Sequence, residues 1–282
     1  ARLIEKVASK GADAVILDLE DAVAPKNKDA ARSQLKDQIE SLKSKGLPVL
    51  VRINAEPELA AKDINSFLGV EIDGIVVPKV DGAEHLSSLA KLIAGLAASA
   101  GTEGVPYRYI PQIESALALP ELHAIAAHEG VIGLALGTED FSLSIGVEPT
   151  FDCLELPAKL ISLAAASRQI MSLAVPTSIS NYTDLGSYQS AAETGKKFGV
   201  TGAICVHPNQ VLVANDVYKP SADQVAHAKA VLEIWLGQIQ SGGAVAVIDG
   251  QMIDKPVVLR ATRTLSLAGE DVPASSELFP DG

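Results

Sequence analysis

The chain has 282 residues, 48% of them hydrophobic, which suffices for one large core or at most two modest domains and excludes disorder as its main state. A formal net charge of −12 argues against a surface built to neutralise phosphate backbones, so no nucleic-acid partner is expected and an anionic ligand would need a local basic pocket. The most apolar stretches are cut by Lys91 or by Ser167-Arg168-Gln169, well short of the ~20 residues that a membrane span requires.

The chain opens with charges scattered through an amphipathic pattern, Ala1–Lys10, which reads as a helix without a capping residue and not as a signal peptide. Cys153 and Cys205 sit in apolar surroundings and read as reduced core thiols, so the expected compartment is the cytoplasm. From residue 14 onward, short apolar runs alternate with helix-patterned stretches: Ala14–Glu20, Pro48–Asn54, Gly74–Lys79, Tyr107–Glu114, Gly133–Asp140, Val175–Ser180 and Gly202–His207. Each is almost continuously apolar and closes on a polar residue, as strands of a parallel sheet buried on both faces do. The closing residues recur roughly every 25 to 40 positions, a rhythm that suits a TIM (β/α)₈ barrel. Seven runs are present where eight are needed, and the opening helix then follows a first strand absent from this chain. The competing fold, a doubly wound open sheet, should carry a Gly-rich phosphate turn after its first strand, and Leu17-Asp-Leu-Glu-Asp-Ala22 is not one.

Beyond His207 the pattern changes. Ser221-Ala-Asp-Gln224 is a capping box that opens a helix with the stripe Val225, Ala228, Leu232, Trp235, Leu236 and Ile239, ending at Gly242-Gly243. Ala244–Ile248, the turn Asp249-Gly250 and Gln251–Ile253 signal a hairpin, followed by a helix from Pro256 to about Leu267. The expected organisation is a barrel over 1–220, a helix–hairpin–helix extension over 221–268 and a polar tail over 269–282.

Carboxylates crowd the strand ends: Asp18, Glu20 and Asp21, then Glu114, then Glu139 and Asp140. In a barrel these converge on one face, and Glu114 with Asp140 is a pair suited to Mg²⁺, or Mn²⁺, which takes one or two carboxylates and fills its other places with water and substrate oxygens. Alternation puts Asp18 and Glu20 on one side of their strand and Asp21 on the other; the competing role for such acids is capping of the following helix. Arg52 lies in an otherwise apolar strand, so its guanidinium should meet either a protein carboxylate or a substrate carboxylate. Lys79 is a cation at a strand end whose acidic neighbours should raise its pKa, which disfavours a Schiff base. His207 is the one histidine near an expected strand end. No Gly-x-Ser-x-Gly elbow, Cys-x-x-Cys, His-Glu-x-x-His or P-loop occurs, removing most hydrolase, zinc and nucleotide-triphosphatase readings.

Seven segments together resemble the citrate lyase β-subunit-like branch of the HpcH/HpaI aldolase superfamily, which includes malyl-CoA lyases: Gly11–Val23, Val51-Arg-Ile-Asn54, Val77-Pro-Lys-Val80, Gln112-Ile-Glu114, Leu136-Gly-Thr-Glu-Asp140, Val206-His-Pro-Asn-Gln210 and Asp249-Gly-Gln-Met-Ile-Asp254. They run in family order. The resemblance implies a barrel, a divalent metal on Glu114 and Asp140, and Arg52 against an α-keto acid or a thioester enolate. It implies a homo-oligomer, a trimer or hexamer, in which Asp254 reaches a neighbour's site as acid/base. Asp21 stands where CoA-independent aldolases carry a catalytic histidine, which favours the CoA branch; Glu20 and Asp21 join Arg52 and Asp254 as candidate catalytic residues. Lys26, Lys28 and Arg32 are candidates for the CoA phosphates, with a solvated helix face as their alternative. The expected activity is Mg²⁺-dependent cleavage or condensation of a β-hydroxyacyl-CoA. The alternatives are a metal-dependent, CoA-independent aldolase on free acids and a non-catalytic thioester-binding subunit of a larger complex.

Overall fold

The computed structural model describes residues 8–102, 106–240, 246–248 and 250–279. The chain divides into two compact units, 1–216 and 217–282. In the first, six strands follow one another in sequence order: β1 (Val15–Asp18), β2 (Val49–Arg52), β3 (Gly74–Val77), β4 (Tyr109–Ile113), β5 (Gly133–Leu136) and β6 (Met171–Leu173). All five pairings are parallel. Strictly sequential order is the winding of a barrel; a doubly wound sheet reverses order at a switch point. Among the described residues the ring does not close, and β1 and β6 are its edges.

Helices return the chain between strands: Lys28–Lys43, Pro57–Phe67, Ala83–Ser99, Leu122–Ala127 and Phe151–Ser167 lie outside the sheet. Each gives an apolar stripe to the core, for example Leu35, Ile39 and Leu42 on the first and Ala60, Ile64 and Phe67 on the second. Inside the curved sheet, Leu50, Val76, Ile110 and Ala135 form a buried cluster with Ile16, Leu173 and Ile204 packed against it. Continuing along β1, β2 and β4 by twos from this cluster leads to Asp18 and Glu20, to Arg52 and Asn54, and to Gln112 and Glu114. The apolar plug thus carries a polar layer at the C-terminal ends of the strands.

The first five expected runs each contain one strand, and the last two do not. The sixth strand is Met171–Leu173, not Val175–Ser180: Pro176 has no N–H to give a ladder, and the Thr177 N–H turns back to the Val175 carbonyl. Gly202–His207 forms no strand. The N–H groups of Thr201 and Gly202 both fall on the single Ser172 carbonyl, and Thr201 Oγ1 takes the Ser172 N–H at 2.9 Å, so no repeating ladder develops. Of the expected opening helix, Ala8–Lys10 is a 3₁₀ turn and residues 1–7 lie outside the described residues.

In the second unit the capping box is present: Ser221 N–H donates to Gln224 Oε1 at 2.9 Å, and Gln224 N–H to Ser221 Oγ at 3.2 Å. The helix spans Ala222–Gln240; its expected Gly242-Gly243 stop lies outside the described residues. Ala246–Ile248 and Gln251–Ile253 pair antiparallel, and the helix Lys255–Leu267 follows. The expected polar tail is folded as far as the described residues run, to Phe279. Ser275–Leu278 is helical, Leu278 is buried, Trp235 Nε1 donates to the Leu278 carbonyl at 2.8 Å, and Phe279 tilts onto the indole. Val272, Leu278 and Phe279 pack on the core of this unit.

Candidate active site at the strand ends

Asp18 and Arg52 are register partners at the ends of β1 and β2. Arg52 Nε donates to Asp18 Oδ1 at 2.9 Å and Nη2 to Oδ2 at 2.5 Å, a bidentate pair, while Nη1 lies 3.3 Å from Glu20 Oε2. Of the two partners the sequence left open for Arg52, a protein carboxylate is therefore one, and Nη1 keeps a donor for a second anion. Burial works to raise the Asp18 pKa, yet the guanidinium and the N–H groups of Glu20 and Ala22 hold it below the usual range. Burial likewise works to lower that of Arg52, and Asp18 and Glu20 raise it above its ordinary value.

Glu20 is buried, and among the described residues neither carboxylate oxygen has a hydrogen-bond partner. Its contacts are ionic: Arg52, and Lys79 Nζ at 3.5 Å from Oε1. Burial, then neighbouring Asp21, raises its pKa against the pull of Arg52 and Lys79. Lys79 is a non-glycine residue at φ 51°, a conformation that costs ~1–3 kcal/mol and survives only where surroundings impose it. That backbone lets one residue serve two acids, because its N–H donates to Glu114 Oε2 at 3.2 Å while its ammonium faces Glu20. Burial lowers the pKa of Lys79, but Glu20, Asp21, Glu114 and Asp140 outweigh it and raise it, the direction expected from the sequence.

Glu114 follows β4 and is buried; its pKa is pushed up to about 8 by burial first and then by the carboxylates of Glu20 and Asp140. Gly137, after β5, makes room for it: a Cβ there would lie 2.4 Å from Glu114 Cγ. Asp140 sits half-buried in the first turn of the helix Thr138–Ser144, and Asp21 is exposed beside the cluster. Five acids, Asp18, Glu20, Asp21, Glu114 and Asp140, against the two cations Arg52 and Lys79 leave an excess of negative charge at a strand-end face. Glu114 and Asp140 could hold a divalent cation there. Among the described residues no three His, Cys, Asp or Glu side chains converge into a ready cage. A hard cation that keeps waters and takes substrate oxygens needs none.

The candidates for CoA phosphates separate. Lys26 is exposed on a 3₁₀ turn. Arg32 is turned away by fully buried Asp63, whose Oδ1 accepts Nε at 2.7 Å, and by Asp29. Lys28 donates to the carbonyls of Leu19 and Glu20. His207 stacks on Tyr182 with ring centroids 4.9 Å apart. In the second unit, half-buried Asp254 is the N-cap of the helix Lys255–Leu267, with Oδ1 accepting the Val257 N–H at 3.2 Å.

Sequence reasoning missed Asp63, Asn54, Gly137 and the specific role of Asp18. Two signals were there: Val-Ile-Leu-Asp18 and Val-Leu-Val-Arg52 close matching runs with opposite charges, and Asp63 stands on the apolar stripe of its helix beside Ile64. Gly137 left none.

The profile of the HpcH/HpaI aldolase/citrate lyase family matches residues 1–208. The chain belongs to this family. It is 30% identical to citrate lyase subunit beta of Escherichia coli over 259 residues, covering 91% of this chain and 86% of that one. Over 269 residues it is 29% identical to (3S)-malyl-CoA thioesterase of Cereibacter sphaeroides, covering 95% and 90%. The crystal structure of Mycobacterium tuberculosis CitE in complex with magnesium, acetoacetate and coenzyme A superposes with a TM-score of 0.71 at 28% identity, covering 95% of this chain and 94% of that one.

Proposed function

We propose that this family member is a Mg²⁺-dependent carbon–carbon lyase that cleaves, or in reverse condenses, a β-hydroxyacyl-CoA such as malyl- or citramalyl-CoA, giving an acyl-CoA and an α-keto acid. The observation that carries the reading is the buried Glu114 carboxyl, crowded by Glu20 and Asp140 and, among the described residues, without an ion pair to offset them. The magnesium and coenzyme A of the similar CitE structure support it.

Glu114 and Asp140 would hold the metal, which when bound makes the substrate hydroxyl more acidic and prepares C–C scission. Arg52, fixed by Asp18, presents its Nη1 edge to the enolate that forms, and so favours the charge-separated state over the neutral thioester. Glu20 and Asp21 keep that edge and Lys79 oriented. The hydroxyl proton would pass to solvent, and Asp254, protonated and supplied by a neighbouring copy in a trimer or hexamer, would protonate the enolate carbon; in condensation its carboxylate would remove a methyl proton from the acyl-CoA. Exposed Lys26 remains a candidate for a CoA phosphate. The free thiols Cys153 and Cys205 suit a reducing cytoplasm.

The test is product analysis with malyl-CoA and Mg²⁺. Acetyl-CoA with glyoxylate supports cleavage; free CoA with malate would replace the lyase reading by thioester hydrolysis, the activity that names the Cereibacter relative.

A further inference from the structure

Behind the strand-end acids lies a second polar chain that the reaction does not touch. Fully buried Asp63 accepts Arg32 Nε through Oδ1; through Oδ2 it accepts the backbone N–H of Asn54 at 2.7 Å and its Nδ2 at 2.6 Å. Asn54 Nδ2 also donates to the Leu19 carbonyl at 2.8 Å. Lys28 closes the chain, with Nζ donating to the carbonyls of Leu19 at 2.9 Å and Glu20 at 3.1 Å and to Asn54 Oδ1. An ammonium has three protons, and here each has an oxygen. None is left for a phosphate.

The Glu20 side chain gives this chain its purpose. Both of its oxygens are buried without a hydrogen bond among the described residues, so nothing directional there orients the carboxylate from its own end. Its place against Arg52 is set by its backbone, and that backbone is held through its own N–H on Asp18 Oδ1 at 2.8 Å, the Leu19 N–H on the Arg52 carbonyl at 2.9 Å and, on the carbonyl side, the Leu19 and Glu20 oxygens on Lys28. We infer that Lys28, anchored through Asn54 by Asp63, is a positioning residue for Glu20 and Arg52 and not a ligand for the nucleotide of CoA. The kinetic part of this inference rests on the lyase reading; the geometric part does not.

Two experiments test it. In wild-type protein at neutral pH, ¹⁵N-detected NMR should show a protected Lys28 ammonium signal that does not move when CoA is added; a signal that shifts on adding CoA would overturn the inference whatever reaction the protein catalyses. In Lys28→Met, kcat with the thioester should fall ~10- to 100-fold while KM stays within about twofold, and the Arg52 Nε–H signal should shift. In Lys28→Ala, n-propylammonium should restore part of kcat. A raised KM at unchanged kcat, or an unmoved Arg52 signal, would return Lys28 to direct thioester binding or to a merely structural role. Absence of lyase activity in the wild type removes the proposed function but leaves both NMR outcomes decisive.

Discussion

Asp63 and Glu114 are both buried carboxylates near the strand ends of one sheet, and the protein treats them in opposite ways. Asp63 receives a guanidinium, a backbone N–H and a side-chain amide, all at 2.6 to 2.7 Å. Glu114 receives one backbone N–H at 3.2 Å, from a residue forced to φ 51°, and faces two further acids. A buried charge that the fold itself satisfies belongs to the scaffold. One that the fold leaves short, and spends backbone strain to keep in place, is waiting for something from outside.

Removing each carboxylate breaks the comparison most strongly. Asp63→Ala takes the buried partner of Arg32, leaving it only exposed Asp29, and the acceptor of the Asn54 backbone N–H, and should cost ~3–5 kcal/mol of stability in denaturant titration. Glu114→Gln should do the reverse: stability of the metal-free protein at pH 8 holds or rises, Mg²⁺ affinity by calorimetry falls at least ~10-fold, and activity falls with it. Equal destabilisation in the two variants would erase the distinction. Gly137→Ala offers a milder version, because its new methyl displaces Glu114 without removing it.

The halves of this contrast were unequally legible in the sequence. The acids, Arg52 and their convergence could be read from apolar runs ending in charge, because strand alternation is local. The partners of Lys28 and Arg32 could not. Both fall on a helix whose inward face is decided by how Lys28–Lys43 packs on its neighbours, and Asn54 and Asp63 arrive from 26 and 31 positions away. Likewise the sixth strand was displaced because Val175 and Ile179 look as apolar as a strand, and the ladder is lost at Pro176 through one missing N–H.

Arg52 spans both halves, tied to Asp18 through two hydrogen bonds on one side and facing Glu20 through Nη1 at 3.3 Å on the other. Arg52→Lys keeps the charge but cannot be bidentate to Asp18 while also offering a second donor edge, so kcat/KM should drop by ~2–3 kcal/mol, about 30- to 150-fold. A variant that loses stability yet is fully active per folded molecule would make Arg52 purely structural.

The shortfall at Glu114 also predicts a pH dependence. Its carboxyl is raised in the native metal-free protein from 4.5 to about 8, so the native state binds a proton that the unfolded state has released. Stability therefore falls as pH rises through that window, with the whole penalty present above about 8. Glu20 is raised too and acts in the same direction. In chelator, Tm should decline by ~5 °C between pH 5 and 8.5, Mg²⁺ should remove most of the decline, and Glu114→Gln should flatten it. A level profile in wild-type protein would mean that water or a cation already relieves the cluster.

The smallest expected effect on stability concerns Asp254, which is both a satisfied N-cap and the proposed acid/base. The two roles separate by chemistry, since asparagine caps a helix as well as aspartate and cannot carry a proton to carbon. Asp254→Asn should leave Tm unchanged and abolish turnover; Asp254→Ala should lose ~1 kcal/mol as well. If the acid works on a neighbour's site, inactive Asp254→Asn mixed and reassembled with inactive Glu114→Gln should recover part of the wild-type rate. Some sites would then join an intact Glu114 to an intact Asp254. Full activity of Asp254→Asn would leave Asp254 a cap alone. No recovery in mixed oligomers verified by native mass spectrometry would place its action within its own subunit.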